Sequence, residues 1–223
     1  MSTTEASPLI LALPKGRLLR EAVDLLSAAG HPEVEVVLSG SRKLVHDTGR
    51  LRILLLRSSD IPTYVAHGAA AVGIAGRDVI EEQGLDLYQP LDLGIGACRL
   101  VMAEPADRPV DESSQVHLRI ATKYPALTQR YLLRRGITAE LIKLSGAIEL
   151  APQTGLVDRI VDLVQSGETL RQNGLVEIDT LLEVTARLIV NPAALKLRTD
   201  LISELIDRLE AAVGGPGRNS AAP

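Results

Sequence analysis

Ser166, Gly167 and Thr169 form a Ser-Gly-x-Thr turn at a point where the sequence predicts the start of a helix. Such a turn leaves several backbone N–H groups without helical partners, and the two hydroxyls add further hydrogen-bonding groups. Because a helix N-terminus also carries partial positive charge, a phosphate is the ligand that suits this turn. The same residues describe an ordinary helix cap, in which Thr169 serves only its own helix. The turn alone leaves both interpretations open.

Two carboxylates lie near the Ser-Gly-x-Thr turn in the sequence. We call residues 166–170, which contain this turn, the 166–170 turn. The apolar pattern of residues 160–164 predicts a helix that breaks at Ser166 and Gly167. Asp162 lies in that segment and would be close to whatever is attached to the phosphate. Glu149 follows a predicted strand and turn, and is either a solvated carboxylate or a ligand residue opposite the 166–170 turn.

Basic side chains recur in three turns that each follow a predicted strand and precede a helix. Lys15 and Arg17 stand at a helix start, where positive charge opposes the helix dipole. The side chains of Lys15 and Arg17 therefore either extend into solvent or bind an anion. In open α/β sheets ligands bind beyond the carboxyl ends of the strands, so the recurrence favours a site over a surface ion pair for Arg57. The three turns are residues 14–17, 57–60 and 75–78.

Composition and charge exclude several functions. The 223 residues are 46% hydrophobic and 23% charged, which is typical of a globular protein. Four Tyr and no Phe or Trp imply an aliphatic core and argue against base stacking on aromatic side chains. A net charge of −4 argues against binding nucleic acid by phosphate neutralisation. Any phosphate binding must therefore be local.

The cellular setting follows from what the sequence lacks. Its one cysteine, Cys98, cannot form an internal disulfide and fits a reducing compartment. Four scattered histidines without cysteine partners give no support for a zinc site. The N-terminal MSTTEASP lacks the layout of a signal peptide, and no apolar run approaches membrane-spanning length. We expect a cytoplasmic protein that binds neither nucleic acid nor membranes.

The elements that must position these residues fall into two successive series of strands and helices, which predicts an α/β fold of two lobes. The basic turns would face a cleft between the lobes from one side, and residues 145–149 and 166–170 from the other. The polar segment 104–115 is predicted to be an irregular loop. Further predictions are strands at 9–13, 34–38, 51–56 and 182–190 and a helix at 125–135.

Four segments resemble, in content and order, the ATP phosphoribosyltransferase family. They are LILALPKGRLLREAVDLL (9–26), RSSDIPTYVAHGAAAVGIAGRDVIEE (57–82), ELAPQTGLVDRIVDLVQSGETLRQNGL (149–175) and LIVNPAALK (188–196). The resemblance covers nearly all of residues 9–210. The third segment is the specific one, because a Ser-Gly-x-Thr turn by itself would not be.

The resemblance implies that a ribose 5-phosphate unit passes from phosphoribosyl pyrophosphate to N1 of the adenine of ATP, with Mg²⁺ required and pyrophosphate released. This is the first step of L-histidine biosynthesis. The implied fold is two lobes like those of type II periplasmic binding proteins, with the active site in the interlobe cleft. The expected bounds are 1–95 plus 185–213 for lobe I, 96–184 for lobe II with the 166–170 turn, and 1–7 and 214–223 for flexible tails.

Members of this family occur in a long and a short form. Long members carry an extra C-terminal regulatory domain, whereas this sequence finishes one helix after LIVNPAAL. We therefore expect the short form. The resemblance then implies a homodimer that assembles with a separate regulatory subunit resembling histidyl-tRNA synthetase.

The resemblance also assigns the phosphoribosyl pyrophosphate side of the site. Glu149 and Asp162 would accept hydrogen bonds from ribose hydroxyls or hold magnesium through water, and the metal would be carried by the substrate without direct protein ligands. The residues matched to the 5-phosphate are Ser166, Gly167, Glu168, Thr169 and Leu170.

On the polyphosphate side, Lys15, Arg17 and Arg57 are the catalytic candidates, because a departing pyrophosphate needs positive charge. Arg57 is the first choice for that role, and Arg42 is a weaker candidate. The residues expected to bind ATP are Gly16, Arg42, Gly76 and Asp78.

Two alternatives to an active enzyme remain open on sequence grounds. A two-lobed protein could be a non-catalytic small-molecule-binding module, although no export signal or DNA-binding segment supports this. The chain could also be a subunit with a decayed site, although the intact 166–170 turn and Arg57 argue against decay. The paired acidic residues followed by Thr-Gly of other phosphoribosyltransferases are missing, so those enzymes offer no guide to this site.

Overall fold

The computed structural model describes residues 7–111 and 117–215, and these residues form two compact units. The first unit contains the residues up to Ile80, Gly84–Gly96 and the residues from Thr185 onward. The second contains Glu81–Gln83 and Ala97–Val184. The chain therefore leaves the first unit and later returns to it.

The secondary structure alternates between strands and helices along most of the chain. The strands are β1 (Leu9–Pro14), β2 (Val45–Asp47), β3 (Leu51–Leu56), β4 (Val72–Gly76), β5 (Tyr88–Asp92), β6 (Cys98–Pro105), β7 (Leu118–Thr122), β8 (Ala139–Lys143), β9 (Arg159–Val164), β10 (Leu175–Val184) and β11 (Ala186–Val190). The helices are α1 (Arg17–Ala28), α2 (Ile61–Ala66), α3 (Arg77–Gln83), α4 (Pro125–Arg135), α5 (Glu168–Gln172), α6 (Pro192–Leu197) and α7 (Thr199–Val213).

The first unit is built on a six-stranded sheet in the order β2-β3-β1-β4-β11-β5. β1 pairs in parallel with β3 and β4, whereas β11 runs antiparallel to β4 and β5. Leu11 and Leu13 of β1 pack in one cluster with buried residues of α1 and α7, and Ala12 packs in another with α2. Both faces of β1 are thus buried, which explains its unbroken apolar sequence.

The second unit is built on a five-stranded sheet in the order β10-β6-β9-β7-β8. β7 runs parallel to β8 and β9, and β6 runs antiparallel to β9 and β10. Tyr131 and Leu132 of α4 join the cluster that includes Val161, while Leu170 of α5 joins the cluster that includes Ile160. Since neighbouring residues of a strand point to opposite faces, α4 and α5 cover opposite faces of this sheet.

The helix predicted over residues 160–164 is wrong, because this segment is the strand β9. Ile160 and Val164 belong to one core cluster and Val161 to another, so both faces of the strand are buried. A strand buried on both faces shows no clear period of two, and its apolar residues then also match helical spacing. The helix start predicted after the break is confirmed by α5.

The strand predicted at residues 34–38 is also wrong, because the segment lies in the 3-10 helix Pro32–Leu38. Val34 and Val37 are buried and three residues apart, so they lie on the same side of a helix with three residues per turn. Pro32 occupies the first helical position, where its missing N–H costs no hydrogen bond.

The strand predicted at 182–190 is divided at Thr185. β10 ends at Val184 in the sheet of the second unit, and β11 begins at Ala186 in the sheet of the first. The period-two pattern continues through Thr185, and so it conceals the division. The helix predicted at 125–135 is confirmed by α4, which ends at Arg135 and is followed by Gly136 with a φ of 68°.

Parts of three predicted irregular segments lie outside the described residues. These parts are 1–6 and 216–223 of the predicted tails and 112–115 of the predicted loop. The start of that loop, Glu104 and Pro105, belongs to β6. In the ranges 7–111 and 117–215, no helix is both long and apolar enough to cross a membrane.

Candidate functional site

The carboxyl ends of three neighbouring strands form one edge of the sheet in the second unit. β8, β7 and β9 are adjacent, and β7 is parallel to both of the others. The loops that follow them start at Leu144, Lys123 and Gln165, and they leave from the same edge. Ligands of open α/β sheets bind at such edges. We call this the second-unit edge.

The 166–170 turn lies at the second-unit edge, between β9 and α5. Gly167 has a φ of 76°, in the left-handed region that favours glycine. The N–H of Arg171 donates to the carbonyl oxygen of Gly167 over 3.1 Å and begins the hydrogen-bond pattern of the helix. The N–H groups of Thr169 and Leu170 come before this first helical hydrogen bond. The side chains of Ser166 and Thr169 are exposed. The turn thus combines the backbone donors and hydroxyls that a phosphate requires.

The carboxylate of Glu168 is held by its own helix. It accepts hydrogen bonds from Arg171 Nη2 over 2.7 Å and from Gln172 Nε2 over 2.9 Å. The hydrogen bond from Arg171 is the main reason that the pKa of Glu168 is lowered. The N–H of Glu168 donates to Ser166 Oγ over 3.4 Å. Glu168 therefore takes part in the turn through its backbone, with its charge balanced by Arg171.

Gly167 also meets a close neighbour on β10. A Cβ at this position would lie 3.0 Å from Oε1 of Glu177. Glu177 is itself held by Arg99, whose Nη1 donates to Oε2 over 2.8 Å. A larger residue at position 167 would therefore displace an ion-paired side chain and distort the turn.

Asp162 lies on β9, on the same face as Ile160 and α5. Its half-buried carboxylate accepts a hydrogen bond from the N–H of Leu163 over 2.8 Å. Burial is the main cause that raises the pKa of Asp162, and the charge of Glu149 raises it further. The N–H of Leu163 and the charge of Lys123 act in the opposite direction. Glu149 and Lys123 are therefore close enough to Asp162 for their charges to act on its carboxylate.

Lys123 is a candidate that sequence analysis missed. It is exposed and is the first residue after β7, with its ammonium 5.9 Å from the ring centroid of Tyr124. Thr122 pairs with Val161 in the parallel register, so Lys123 and Asp162 follow at the same level of the sheet. Lys123 follows the end of β7 in the structure just as Arg57 follows the end of β3.

The basic turns of the first unit also leave from a single edge. β3, β1 and β4 are adjacent, and β1 is parallel to both of the others. Pro14 lies opposite Leu56, and the N–H of Lys15 donates to the carbonyl oxygen of Leu56 over 2.8 Å. Lys15 and Arg57 thus follow neighbouring strand ends, and both side chains are exposed. We call this the first-unit edge.

Gly16 and Arg17 begin α1 at the first-unit edge. Gly16 has a φ of 87°, and the space that a Cβ would occupy is open, so its backbone conformation is the reason for glycine. The first turn of α1 contains no acidic residue, and Arg17 is exposed. A helix N-terminus flanked by Lys15 and Arg17 is a favourable place for an anion.

Arg42 reaches the first-unit edge from the opposite direction. β2 runs antiparallel to β3, and the N–H of Leu55 donates to the carbonyl oxygen of Leu44 over 2.8 Å. The residues before β2 therefore extend beyond the carboxyl end of β3. Nε2 of the buried His46 hydrogen-bonds to the carbonyl oxygen of Lys43 over 3.2 Å and holds this segment. Arg42 itself is exposed.

Gly76 and Asp78 lie at the same edge but are less accessible. Asp78 is only 5% exposed. A Cβ at Gly76 would lie 2.2 Å from Asp78 Oδ1, so the carboxylate covers the backbone of Gly76. Gly76 has a φ of −65°, which any residue adopts. This close approach is therefore the reason for glycine, and Asp78 supports the turn from inside.

Comparison with known proteins decides the family. Residues 57–211, more than half of the chain, match the family described as ATP phosphoribosyltransferase. The chain belongs to the ATP phosphoribosyltransferase family. It is therefore an enzyme of the glycosyltransferase type, and the family predicted from the sequence is confirmed.

The similarity to known proteins extends over nearly the whole chain. ATP phosphoribosyltransferase 2 of Geobacter sulfurreducens is 51% identical over 204 residues, which span 90% of this chain and 96% of that protein. ATP phosphoribosyltransferase of Novosphingobium aromaticivorans is 51% identical over 219 residues, which span 96% of this chain and 97% of that protein. The chain and these two ATP phosphoribosyltransferases thus match over almost their full lengths.

Solved structures confirm the predicted fold. The ATP phosphoribosyl transferase (HisG:HisZ) complex from Thermotoga maritima contains a chain with a TM-score of 0.79 and 33% identity, covering 92% of this chain and 98% of that one. The periplasmic aliphatic sulphonate binding protein SsuA from Escherichia coli has a TM-score of 0.58 at 14% identity, covering 93% and 73%. The second likeness concerns the fold alone. The ATP phosphoribosyltransferase fold here is thus an α/β fold like that of periplasmic binding proteins.

Proposed function

We propose that this enzyme transfers the 5-phosphoribosyl group of phosphoribosyl pyrophosphate to N1 of the adenine of ATP and releases pyrophosphate, as the first step of L-histidine biosynthesis. The proposal is carried by one observation at the second-unit edge. There, the 166–170 turn comes one residue after β9, the strand that bears Asp162, and the 3-10 turn that carries Glu149 packs through Ile148 in the same core cluster as Ile160 of β9. A phosphate anchor beside two carboxylates suits a phosphorylated sugar with free hydroxyls.

The chemistry explains why these groups are needed together. Breaking the bond between C1 of the ribose and pyrophosphate builds positive charge on the sugar and negative charge on the leaving group. The 166–170 turn would fix the 5-phosphate, which orients the ring for attack. Asp162 and Glu149 would accept hydrogen bonds from the ribose hydroxyls and stabilise the positive charge. Adenine N1 carries a lone pair and can attack C1 directly, so positioning would matter more than proton transfer.

The residues of the first-unit edge would serve the polyphosphate groups. Lys15, Arg17 and Arg57 supply positive charge at adjacent strand ends, and Arg42 comes from the segment before β2. We assign the departing pyrophosphate to Arg57, because a guanidinium can donate two parallel hydrogen bonds to a phosphate.

The nucleotide has its own candidates at the first-unit edge. We assign it to the backbone of Gly16, where the space around Cα is open. Gly76 and Asp78 would support ATP binding from the protein interior, since the buried Asp78 carboxylate is turned onto Gly76.

The proposed reaction also calls for Mg²⁺. Within residues 7–111 and 117–215, no group of three or more His, Cys, Asp or Glu side chains is arranged to hold a metal ion. The pair Glu149 and Asp162 nevertheless fits a hard cation that keeps several waters and is carried mainly by substrate phosphates. When bound there, Mg²⁺ would neutralise charge on the leaving pyrophosphate.

Removing the two hydroxyls of the 166–170 turn tests the phosphate anchor. Ser166→Ala combined with Thr169→Val should raise the Kd for phosphoribosyl pyrophosphate about 5- to 150-fold, because each lost hydrogen bond to a charged group weakens binding. Isothermal titration calorimetry measures this directly. Thr180→Val is the matched control, since Thr180 is exposed on β10 of the same unit. An unchanged Kd in the double variant would remove the anchor assignment.

Turnover tests the proposed function as a whole. The purified chain, given ATP, phosphoribosyl pyrophosphate and Mg²⁺, should form phosphoribosyl-ATP and pyrophosphate in equal amounts. Binding of both substrates without product would indicate a catalytic subunit that needs its partner. If neither substrate binds, the proposed reaction is wrong for this chain.

We also propose that the working enzyme is a homodimer that assembles with a regulatory subunit in the cytoplasm. Support comes from the HisG:HisZ complex of Thermotoga maritima and from Cys98, which forms no disulfide. Mixing the chain with a HisZ protein should give a complex of larger mass in size-exclusion chromatography with light scattering. Separate elution of the two proteins would contradict the partnership.

A further inference from the structure

Ala147 has an unusual backbone conformation beside the second-unit edge. Its φ of 50° and ψ of 39° lie in the left-handed region, and it is the only non-glycine residue with positive φ in the described part of the chain. This region is unfavourable for residues that carry a Cβ. Such a conformation persists where the surrounding structure imposes it, and it is often found at functional sites.

The contacts on either side of Ala147 impose the conformation. Before it, the N–H of Leu144 donates to the carbonyl oxygen of Thr122 over 3.0 Å, which fixes the end of β8. After it, Ile148 is only 2% exposed and belongs to a core cluster. The N–H of Leu150 donates to the carbonyl oxygen of Ala147 over 3.2 Å and closes one 3-10 turn. Three residues must therefore turn the chain between two fixed points.

The turn decides where Glu149 lies. Glu149 is the second residue of that 3-10 turn, and Ile148 beside it packs in the same core cluster as Ile160, which lies on the same face of β9 as Asp162. The charge of Glu149 also raises the pKa of Asp162. The side chain of Ala147 is exposed, so it contributes no packing that would explain the strain. What Ala147 supplies is the direction of the backbone that carries Glu149.

We infer that Ala147 is a positioning residue whose left-handed backbone holds the Glu149 carboxylate beside Asp162, ready for the ribose hydroxyls of phosphoribosyl pyrophosphate. The inference rests on the proposed function and extends it by one residue. It predicts that tolerance at position 147 follows the backbone preference of the side chain and not its size, because the side chain points to solvent.

Two substitutions of similar size separate an effect of backbone preference from an effect of side-chain size. Ala147→Asn keeps a residue that tolerates the left-handed region, whereas Ala147→Val introduces a β-branched residue that strongly disfavours it. We expect the valine variant to raise the KM for phosphoribosyl pyrophosphate about tenfold, with the KM for ATP unchanged and kcat altered less. The asparagine variant and Ala147→Gly should stay within about twofold of the wild type.

Controls separate positioning from a general loss of stability. Ala106→Val makes the same change at an exposed alanine of the same unit that has no positive φ, and it should leave both KM values unchanged. If the valine variant does not fold, Ala147→Leu replaces it and should give a smaller rise in KM. A double-mutant cycle with Glu149→Gln should be non-additive, because Ala147 acts through Glu149.

The outcomes distinguish the two proposals. Equal KM values for the valine, asparagine and wild-type enzymes would overturn the positioning role and leave the proposed function intact. Additive effects of Ala147→Val and Glu149→Gln would also overturn it. If the wild type itself does not bind phosphoribosyl pyrophosphate, the proposed function and this inference fail together.

Discussion

Replacing Arg57 with alanine is expected to lower kcat/KM for formation of phosphoribosyl-ATP by about 10²–10³-fold. Arg57 is exposed at the end of β3, next to the strand end that carries Lys15. A guanidinium aimed at a departing pyrophosphate stabilises charge that develops only in the transition state, so its loss should appear mainly in kcat. Steady-state assays that vary each substrate in turn measure the two parameters separately.

Arg52→Ala is the matched control for the loss of one arginine from the same strand. Arg52 is exposed on β3 and pairs with Asp47, with Nε 2.7 Å from Oδ1. Exposed ion pairs of this kind contribute about 1 kcal/mol or less, so activity should stay near that of the wild type. Arg57→Lys should recover part of the rate, because an ammonium keeps the charge without the paired donors. Equal activity of the Arg57 and Arg52 variants would exclude the assigned role.

Asp162→Asn should have opposite effects on activity and stability. A carboxylate that accepts hydrogen bonds from ribose hydroxyls stabilises the bound sugar more than a neutral amide does. The variant should therefore lose about 10- to 100-fold in kcat/KM for phosphoribosyl pyrophosphate. At neutral pH the same variant should melt at a higher temperature than the wild type, because a half-buried charge has been removed.

The sign of the pH dependence follows from the raised pKa of Asp162. Between the unfolded pKa and the higher folded pKa, the folded state binds more protons, so stability falls as pH rises through this window. Below the unfolded pKa the carboxyl is neutral in both states and its burial carries no charge penalty. The gain in melting temperature of Asp162→Asn over the wild type should therefore grow from about pH 4 upward until Asp162 is ionised in the folded state.

Asp158→Asn provides the contrast for the stability measurement. Asp158 accepts a hydrogen bond from the N–H of Arg119 over 2.9 Å and pairs with Arg119 Nη2 over 3.2 Å. Its removal should lower the melting temperature at neutral pH. If Asp162→Asn lowers it as well, the Asp162 carboxylate is stabilising in the folded protein, and the assignment of a costly, functional charge is wrong.

The regularity of the chain made much of the fold predictable. The apolar run at 9–13 predicted a strand, and β1 confirms it. The helical pattern at 125–135, followed by Gly136, predicted a helix, and α4 confirms it. The helix prediction for residues 160–164 was wrong for a physical reason. A strand that packs on both faces has no polar side, and periodicity then no longer separates strand from helix.

The 166–170 turn and the basic turns after the strands could be recognised from the sequence alone, because these features depend on neighbouring residues. Backbone donors at a helix start and side chains at a strand end need no distant partner to be recognised. The folded structure was needed to show that the charges of Glu149 and Lys123 act on Asp162 and that Asp78 is turned inward onto Gly76. Those relations join separate strands and turns, and burial and charge depend on distances that spacing along the chain does not specify.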